Sequence, residues 1–319
     1  MSLTSAPLAA PNALGGQENA DGGLQGLDYA LYAVTLVAWG TSWYAIKLQL
    51  GVVTPEVSLV WRFGMASLVM IVWAIAARTP IAFPAEIHAK FATLGVTIFS
   101  TNFALFYYAG MHVPSGLLAV TFSLSSIVNL LLSAMLFGDR LHWRLIAGAL
   151  CGVLGVVCLF LPQVAGTTIN ADALFALGLG VCAVFSFCGG NMISRTVQKA
   201  GIPLLSANMW GMAYGTVWMA FIAFLSGDRF VLDTGAAYIA SLFWLSIVCT
   251  VIAFAAYLTL MRRIGPGRAG YATVMFPVVA LAVSTVLEGY QWTLIAALGA
   301  ALALFGNFLA LSRVKRTLV

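Results

Sequence analysis

The sequence predicts an all-α membrane protein: ten transmembrane helices arranged as two inverted five-helix repeats around a central cavity. Three observations carry that expectation. The first is composition. Of 319 residues, 62% are hydrophobic and only 8% are charged, where a soluble domain carries roughly 25% charged residues. The bilayer is therefore the solvent, and its spans must be helices because lipid offers the backbone no hydrogen-bond partner. The alternating pattern of a membrane barrel is absent. The second observation is punctuation: Gly, Pro and polar clusters cut the chain into ten apolar stretches, each close to the roughly 20 residues a span requires. The third is a fixed internal offset. Trp39-Gly40-Thr41-Ser42, Lys47, Pro55 and Trp61-Arg62 reappear as Phe187-Cys188-Gly189-Gly190, Arg195, Pro203 and Met209-Trp210, about 148 residues later. Five spans is an odd number, so the second copy must enter the membrane from the opposite side, the usual build of a secondary transporter.

The predicted spans are 29–48, 56–77, 89–111, 115–137, 143–161, 172–195, 203–225, 236–261, 268–288 and 291–312. They group into a first repeat over 28–162 and a second over 171–313, after a disordered cytoplasmic tail over 1–27 that lacks the basic start and apolar run of a signal peptide. Five cysteines, Cys151, Cys158, Cys182, Cys188 and Cys249, all lie in apolar stretches with no CxxC or Cys/His spacing. They read as small buried hydrophobes, and neither a metal site nor a cofactor is expected.

Basic residues sort by side. Arg78, Lys90, Arg140, Arg144, Arg195, Lys199, Arg262, Arg263, Arg268, Arg313, Lys315 and Arg316 all follow even-numbered spans. The other side holds Lys47 and Arg229, with Arg62 set apart inside span two. A Lys/Arg excess in short loops marks the cytoplasm, so both termini are expected there. The net charge of +5 is then a topology signal, and no nucleic-acid partner is needed to explain it.

Polar residues fall in stripes. Span four carries Thr121, Ser125, Asn129 and Ser133 at i+4 spacing, on one face. Span three adds Thr97, Thr101, Asn102, Tyr108 and His112. Span one has Tyr32, Thr35, Trp39 and Trp43, and span six Phe187 and Asn191. Span seven has Trp210, Tyr214 and Trp218, span eight Thr250 and Tyr257, and span nine Tyr271 and Met275 beside Pro277. Such groups are costly against lipid, so they face protein or a wet cavity. Each Ser or Thr has a plainer alternative, a bond to its own helix. Tyr29, Trp143 and Trp292 read as interfacial anchors, and His88, His112 and His142 as solvated loop or span-end groups. Spans five and ten are nearly all apolar, with Gly148, Gly152 and Gly155 in one and Gly299 and Gly306 in the other. They fit close packing that braces a monomer, or else a dimer face.

Arg62 is the one basic residue deep in a span. It reads either as a fork for a substrate carboxylate or as a snorkelling or helix-end-capping residue that anchors the span. Glu56, Glu86, Asp139, Asp172, Asp228, Asp233 and Glu288 all lie at span ends or in loops; Glu288 reads as a solvated helix-end residue, with a proton site as its alternative. A carrier of lipophilic cations wants a buried carboxylate, and a sugar-phosphate carrier wants several buried cations. Rings, hydroxyls, amides and methionines instead suit a neutral or zwitterionic solute.

The Trp39-Gly40-Thr41-Ser42 segment with Lys47, Trp61-Arg62, the Gly138-Asp139-Arg140 turn before a glycine-rich span, and Pro277 with Glu288 resemble the drug/metabolite transporter superfamily. More narrowly, they resemble its ten-span branch with two EamA-type repeats, and within it the bacterial exporters of aromatic and other neutral amino acids. The second half departs from the pattern at Phe187-Cys188 and Met209-Trp210. The resemblance implies a basket lined by spans three, four, eight and nine, gated by one, two, six and seven, and braced by five and ten. It implies alternating-access export or facilitated movement of small neutral or zwitterionic metabolites across a bacterial inner membrane, with export of amphipathic drugs as the alternative. The expected substrate contacts are Trp39, Trp43, Arg62, Thr101, Asn102, Tyr108, Thr121, Ser125, Asn129, Asn191, Trp210, Tyr214, Tyr257, Tyr271 and Met275. The expected partners are the small solute and the lipid bilayer. An intramembrane enzyme would need converging His, Asp, Glu or Cys side chains, and the sequence places these at the periphery.

Overall fold

The computed structural model describes residues 24–139, 143–164 and 170–311. The proposed tail up to residue 23, and Arg140, His142, Arg313, Lys315 and Arg316, lie outside them. Among the described residues the helical segments join into ten rods. They are α1 (Gly26–Lys47), α2 (Pro55–Ala76), α3 (Ala85–Gly110), α4 (Ser115–Phe137), α5 (Trp143–Val164), α6 (Ala171–Lys199), α7 (Leu204–Leu225), α8 (Ala236–Gly265), α9 (Tyr271–Leu287) and α10 (Leu294–Leu311). Six of them, α2 to α6 and α8, are long and apolar enough to cross a membrane. Val72, Met135, Val217 and Val286 stand exposed on outward faces, which only hydrocarbon can cover at low cost.

The ends of the rods follow local chemistry. Pro55 opens α2, where its missing N–H costs nothing. Asn170 caps α6 by accepting the Asp172 and Ala173 N–H groups at 3.1 and 3.2 Å. Gly138 closes α4 in the left-handed region at φ 72°. Gly265, at φ 82°, stops α8. α1 begins at Gly26, three residues before the sequence expectation, because the Gln25 N–H is taken by the Asp28 carboxylate at 2.9 Å.

Periodicity missed one feature. α3 and α8 each contain a π-helical stretch, at Thr97–Thr101 and Trp244–Ile252. In both, a hydroxyl reaches the carbonyl five residues back: Ser100 to Gly95 at 2.8 Å and Thr250 to Leu245 at 2.7 Å. Each hydroxyl thus bonds its own helix at the five-residue spacing of the π register.

Packing is closest where glycine removes the side chain. A Cβ on Gly155 would stand 2.4 Å from the Ala303 nitrogen, and one on Gly148 2.6 Å from the Gly306 carbonyl. The glycines of α5 and α10 therefore close on each other within one chain, which is the bracing arrangement. Elsewhere α1 packs on α8 and α9, α6 on α3 and α4, α2 on α7 and α8, and α7 on α3. α4 packs on α9. Two cores result. One gathers around Trp43, Phe106 and Phe276, the other around Phe63, Phe99 and Met212.

Candidate functional site

Arg62 projects from the second turn of α2 into protein, with 3% of its surface exposed. The Phe63 and Phe103 rings flank its guanidinium, their centroids 5.0 and 4.4 Å away. The Tyr107 hydroxyl lies beside the charge and donates to the Gln49 side-chain oxygen. Tyr107 and Gln49 are 0% and 1% exposed. Nε and Nη1 of Arg62 and Nε2 of Gln49 have no partner, and no ion pair reaches Arg62 among the described residues. Burying an ion costs several kcal/mol even after relaxation, and desolvated ring contacts return about 2 kcal/mol. The rings offset only part of that cost, and the site retains unspent hydrogen-bond donors.

Cys249, in the π stretch of α8, links this box to the aromatic residues of α1. Its carbonyl accepts the Trp39 indole N–H at 3.3 Å, its thiol donates to the Ala38 carbonyl, and its side chain is buried in the same core as Phe63 and Tyr107. Trp39 in turn packs on Tyr257 at 5.1 Å. One turn along α1, Trp43 meets Phe106 edge-on at 4.9 Å and Phe122 at 5.6 Å. Phe122 continues to Phe187 and Phe276, so rings from α1, α3, α4, α6 and α9 converge in the interior.

Among the described residues three Lys or Arg side chains pair with carboxylates at rod ends: Arg263 of α8 holds Asp28 in the first turn of α1 at 2.5 Å, and the other two pairs occupy repeat-related places. Arg195 at the end of α6 holds Asp139 just beyond α4, Nη1 to Oδ2 at 2.7 Å, and also donates to the Ser133 hydroxyl. The Arg195 bond, then the Ser133 bond, holds the Asp139 carboxyl down at about 2. Lys47 at the end of α1 stands 3.9 Å from Glu288 at the end of α9. Glu288 is not the solvated residue the turn suggested. Its side chain is 6% exposed, because Oε2 accepts the first N–H of α4, at Ser115, and the Ser284 hydroxyl. An orphan helix-start donor attracts a carboxylate. Glu56 is buried as well and accepts the Tyr108 hydroxyl at 2.6 Å.

The remaining expected contacts divide. Asn191 donates to Asn129 across α6 and α4 at 3.3 Å and borders an open pocket of about 440 Å³ with Ser194, Arg195, Gln198 and Lys199. Asn102 is buried with its Oδ1 unpartnered. Ser125 is buried and lends its carbonyl to the Cys188 thiol. Thr121 bonds its own helix at Leu117, Thr101 lies in the π stretch of α3, Tyr271 packs on Phe308 of α10, and Met275 is exposed. Trp210 and Tyr214 sit apart from the central rings. Trp210 donates to the Ile81 carbonyl and packs on His88, whose Nδ1 meets the Tyr214 hydroxyl at 3.0 Å. His88 is thus in the first turn of α3 and half-buried, not in a solvated loop. Sequence reasoning singled out neither Tyr107 nor Gln49. Tyr107 was overshadowed by its neighbour Tyr108, and Gln49 lies just past the end of a span. Among the described residues, no group of three or more His, Cys, Asp or Glu side chains could hold a metal ion.

The profile of the EamA-like transporter family matches residues 28–161 and again 174–312. The chain belongs to the EamA-like transporter family. This transporter is 24% identical over 291 residues to a protein of Escherichia coli (strain K12) named "Probable amino-acid metabolite efflux pump", covering 88% of this chain and 94% of the relative. It is 26% identical to the "Probable terminal-alkyne amino-acid exporter" of Streptantibioticus cattleyicolor, covering 89% and 93%. A solved crystal structure shares its fold at a TM-score of 0.64 and 19% identity, over 90% of this chain and 97% of that one. The transporter is thus a multi-pass membrane protein and not an enzyme.

Proposed function

We propose that the chain exports small neutral or zwitterionic metabolites, foremost aromatic and other neutral amino acids, by alternating access. All ten rods cross the membrane in this reading. Residues 28–162 and 171–313 form inverted halves, and both termini face the cytoplasm of a bacterial inner membrane. The observation that carries it is a duplicated pair of clamps. Lys47 and Arg195 lie 148 positions apart, and Asp139 and Glu288 lie 149 apart. Each cation meets the acid of the other kind of rod end, α1 with α9 and α6 with α4. With five rods per half, these clamps fall on opposite membrane faces, as rocking of one half against the other requires. The exchanged packing of α1 on α8 and α9, and of α6 on α3 and α4, supports the same two-fold reading. So do the equivalent π stretches. The export names of the relatives and the interior rings and amides support the substrate class.

Counterflow in proteoliposomes with labelled phenylalanine, methionine and tetraphenylphosphonium, with and without a pH gradient, tests the proposal. Uptake of the amino acids is expected. Uptake of the cation alone would overturn it. One finding favours that second reading: Glu288 is a buried carboxylate with an unpartnered Oε1, the kind of group that proton-for-cation exchange uses. In that case Glu288→Gln abolishes the response to the pH gradient. In the amino-acid reading it does not.

A further inference from the structure

Arg62 asks for an anion that the chain does not supply. The guanidinium is 3% exposed, Nε and Nη1 lack partners, and the neighbouring Gln49 Nε2 also lacks one. Both side chains meet the same buried Tyr107 hydroxyl, so their three unpartnered N–H donor atoms offer a cradle for an acceptor with several lone pairs. The Tyr107 hydroxyl already donates to Gln49, which fixes the amide with its nitrogen free. The rings of Phe63 and Phe103 lie against the guanidinium, and the side chain is buried in protein and does not extend to the surface. Both π stretches reach the core that holds the cradle: Phe99 of α3 packs on Phe63 at 5.8 Å, and Cys249 of α8 is buried in the same core as Phe63 and Tyr107. π turns recur at functional sites because their bonding register can shift.

We propose that Arg62 and Gln49, positioned by Tyr107, bind the carboxylate of the transported solute. The unpartnered groups of the cradle are all donors and its one charge is positive, so it selects a monoanionic carboxylate over an amide or an amine. The path through Cys249 to Trp39 and Tyr257 gives the rest of the solute an aromatic wall. The cradle is sealed in this conformation, and movement of the α1 and α8 walls admits the ligand. The assignment rests on the amino-acid reading above for its biological solute, but not for its chemistry.

The test uses the full chain in lipid nanodiscs. Thermal stabilisation is measured with 3-phenylpropionate, 3-phenylpropionamide, phenethylamine and sodium chloride. Counterflow is measured for phenylalanine against phenylalaninamide. The wild type is expected to prefer the acid over the amide by about tenfold or more, the size of one charge-assisted hydrogen bond. Arg62→Gln and Gln49→Leu should each bring that ratio close to one, and Tyr107→Phe should lower it less. Because the rings compensate the unliganded cation only in part, Arg62→Gln should melt no lower than the wild type without ligand. That result also keeps the variant interpretable. An unchanged acid-to-amide ratio in Arg62→Gln overturns the proposal, and so does equal stabilisation by chloride alone. If carboxylate-dependent stabilisation survives while phenylalanine counterflow fails, the cradle stands and the amino-acid reading falls.

Discussion

At one end of the molecule Arg195 grips Asp139 at 2.7 Å, and the acid is 48% exposed. At the other, Lys47 stands 3.9 Å from a Glu288 that is 6% exposed. The four residues occupy matching places in the two halves, yet the clamps work through different partners. Arg195 supplies a fork, with Nη1 and Nη2 each meeting one oxygen of Asp139 at 2.7 and 3.4 Å, and water reaches both groups. Glu288 is held chiefly by the Ser115 N–H that starts α4 and by Ser284, with Lys47 as a distant third. The first clamp is a charge pair that can part into water. The second is a helix cap that also carries a charge. Duplication preserved the positions while the energetics diverged, and a buried acceptor of helix N–H groups is the harder of the two to release.

The largest expected effect comes from fastening either clamp shut. In a background without native cysteines, Lys47→Cys with Glu288→Cys, or Arg195→Cys with Asp139→Cys, is bridged by a short bifunctional thiol reagent. Counterflow should fall to background in both cases and return on reduction. Full transport with one end bridged would remove that end from the gating scheme. A smaller effect separates the clamps by stability. Glu288→Ala strands the Ser115 N–H in a buried place, which costs about 1–3 kcal/mol, and thermal unfolding in nanodiscs should drop accordingly. Asp139→Ala frees Arg195 into water and should barely move the melting point. Equal shifts in the two variants would show that the caps are equivalent after all.

Much of this contrast was legible in the sequence, and the remainder has a physical reason for being hidden. The offset from Lys47 to Arg195 reads directly, as do the span centres, the glycine seam of Gly155 and Gly306, and the oddity of Arg62 inside an apolar run. All of these depend on residue type and spacing along one helix. Glu288 misled because a turn residue was expected to point outward, while the orphan Ser115 N–H of a distant segment draws it in. Trp210 and Tyr214 share a helix face, as their i+4 spacing implies, but spacing does not say which neighbour that face meets, and it meets His88. The π stretches leave no trace in hydrophobic periodicity. Gln49 joins Arg62 only because Tyr107 crosses from α3 to hold it.

The finest distinction between the clamps is in acid. The Arg195 and Ser133 bonds hold the Asp139 carboxyl down at about 2, from an ordinary value near 3.8. A depressed value means that folding and closure favour the ionised form. That favourable contribution is complete above the ordinary value and is lost only as pH falls through about 2. Between pH 5 and pH 8 the Arg195 clamp therefore does not titrate. Asp139→Asn should lower transport by the same factor at every pH in that window and leave the shape of the profile unchanged. A profile whose midpoint moves on Asp139→Asn would mean that the carboxyl exchanges protons during the cycle. The two ends would then differ in coupling as well as in packing.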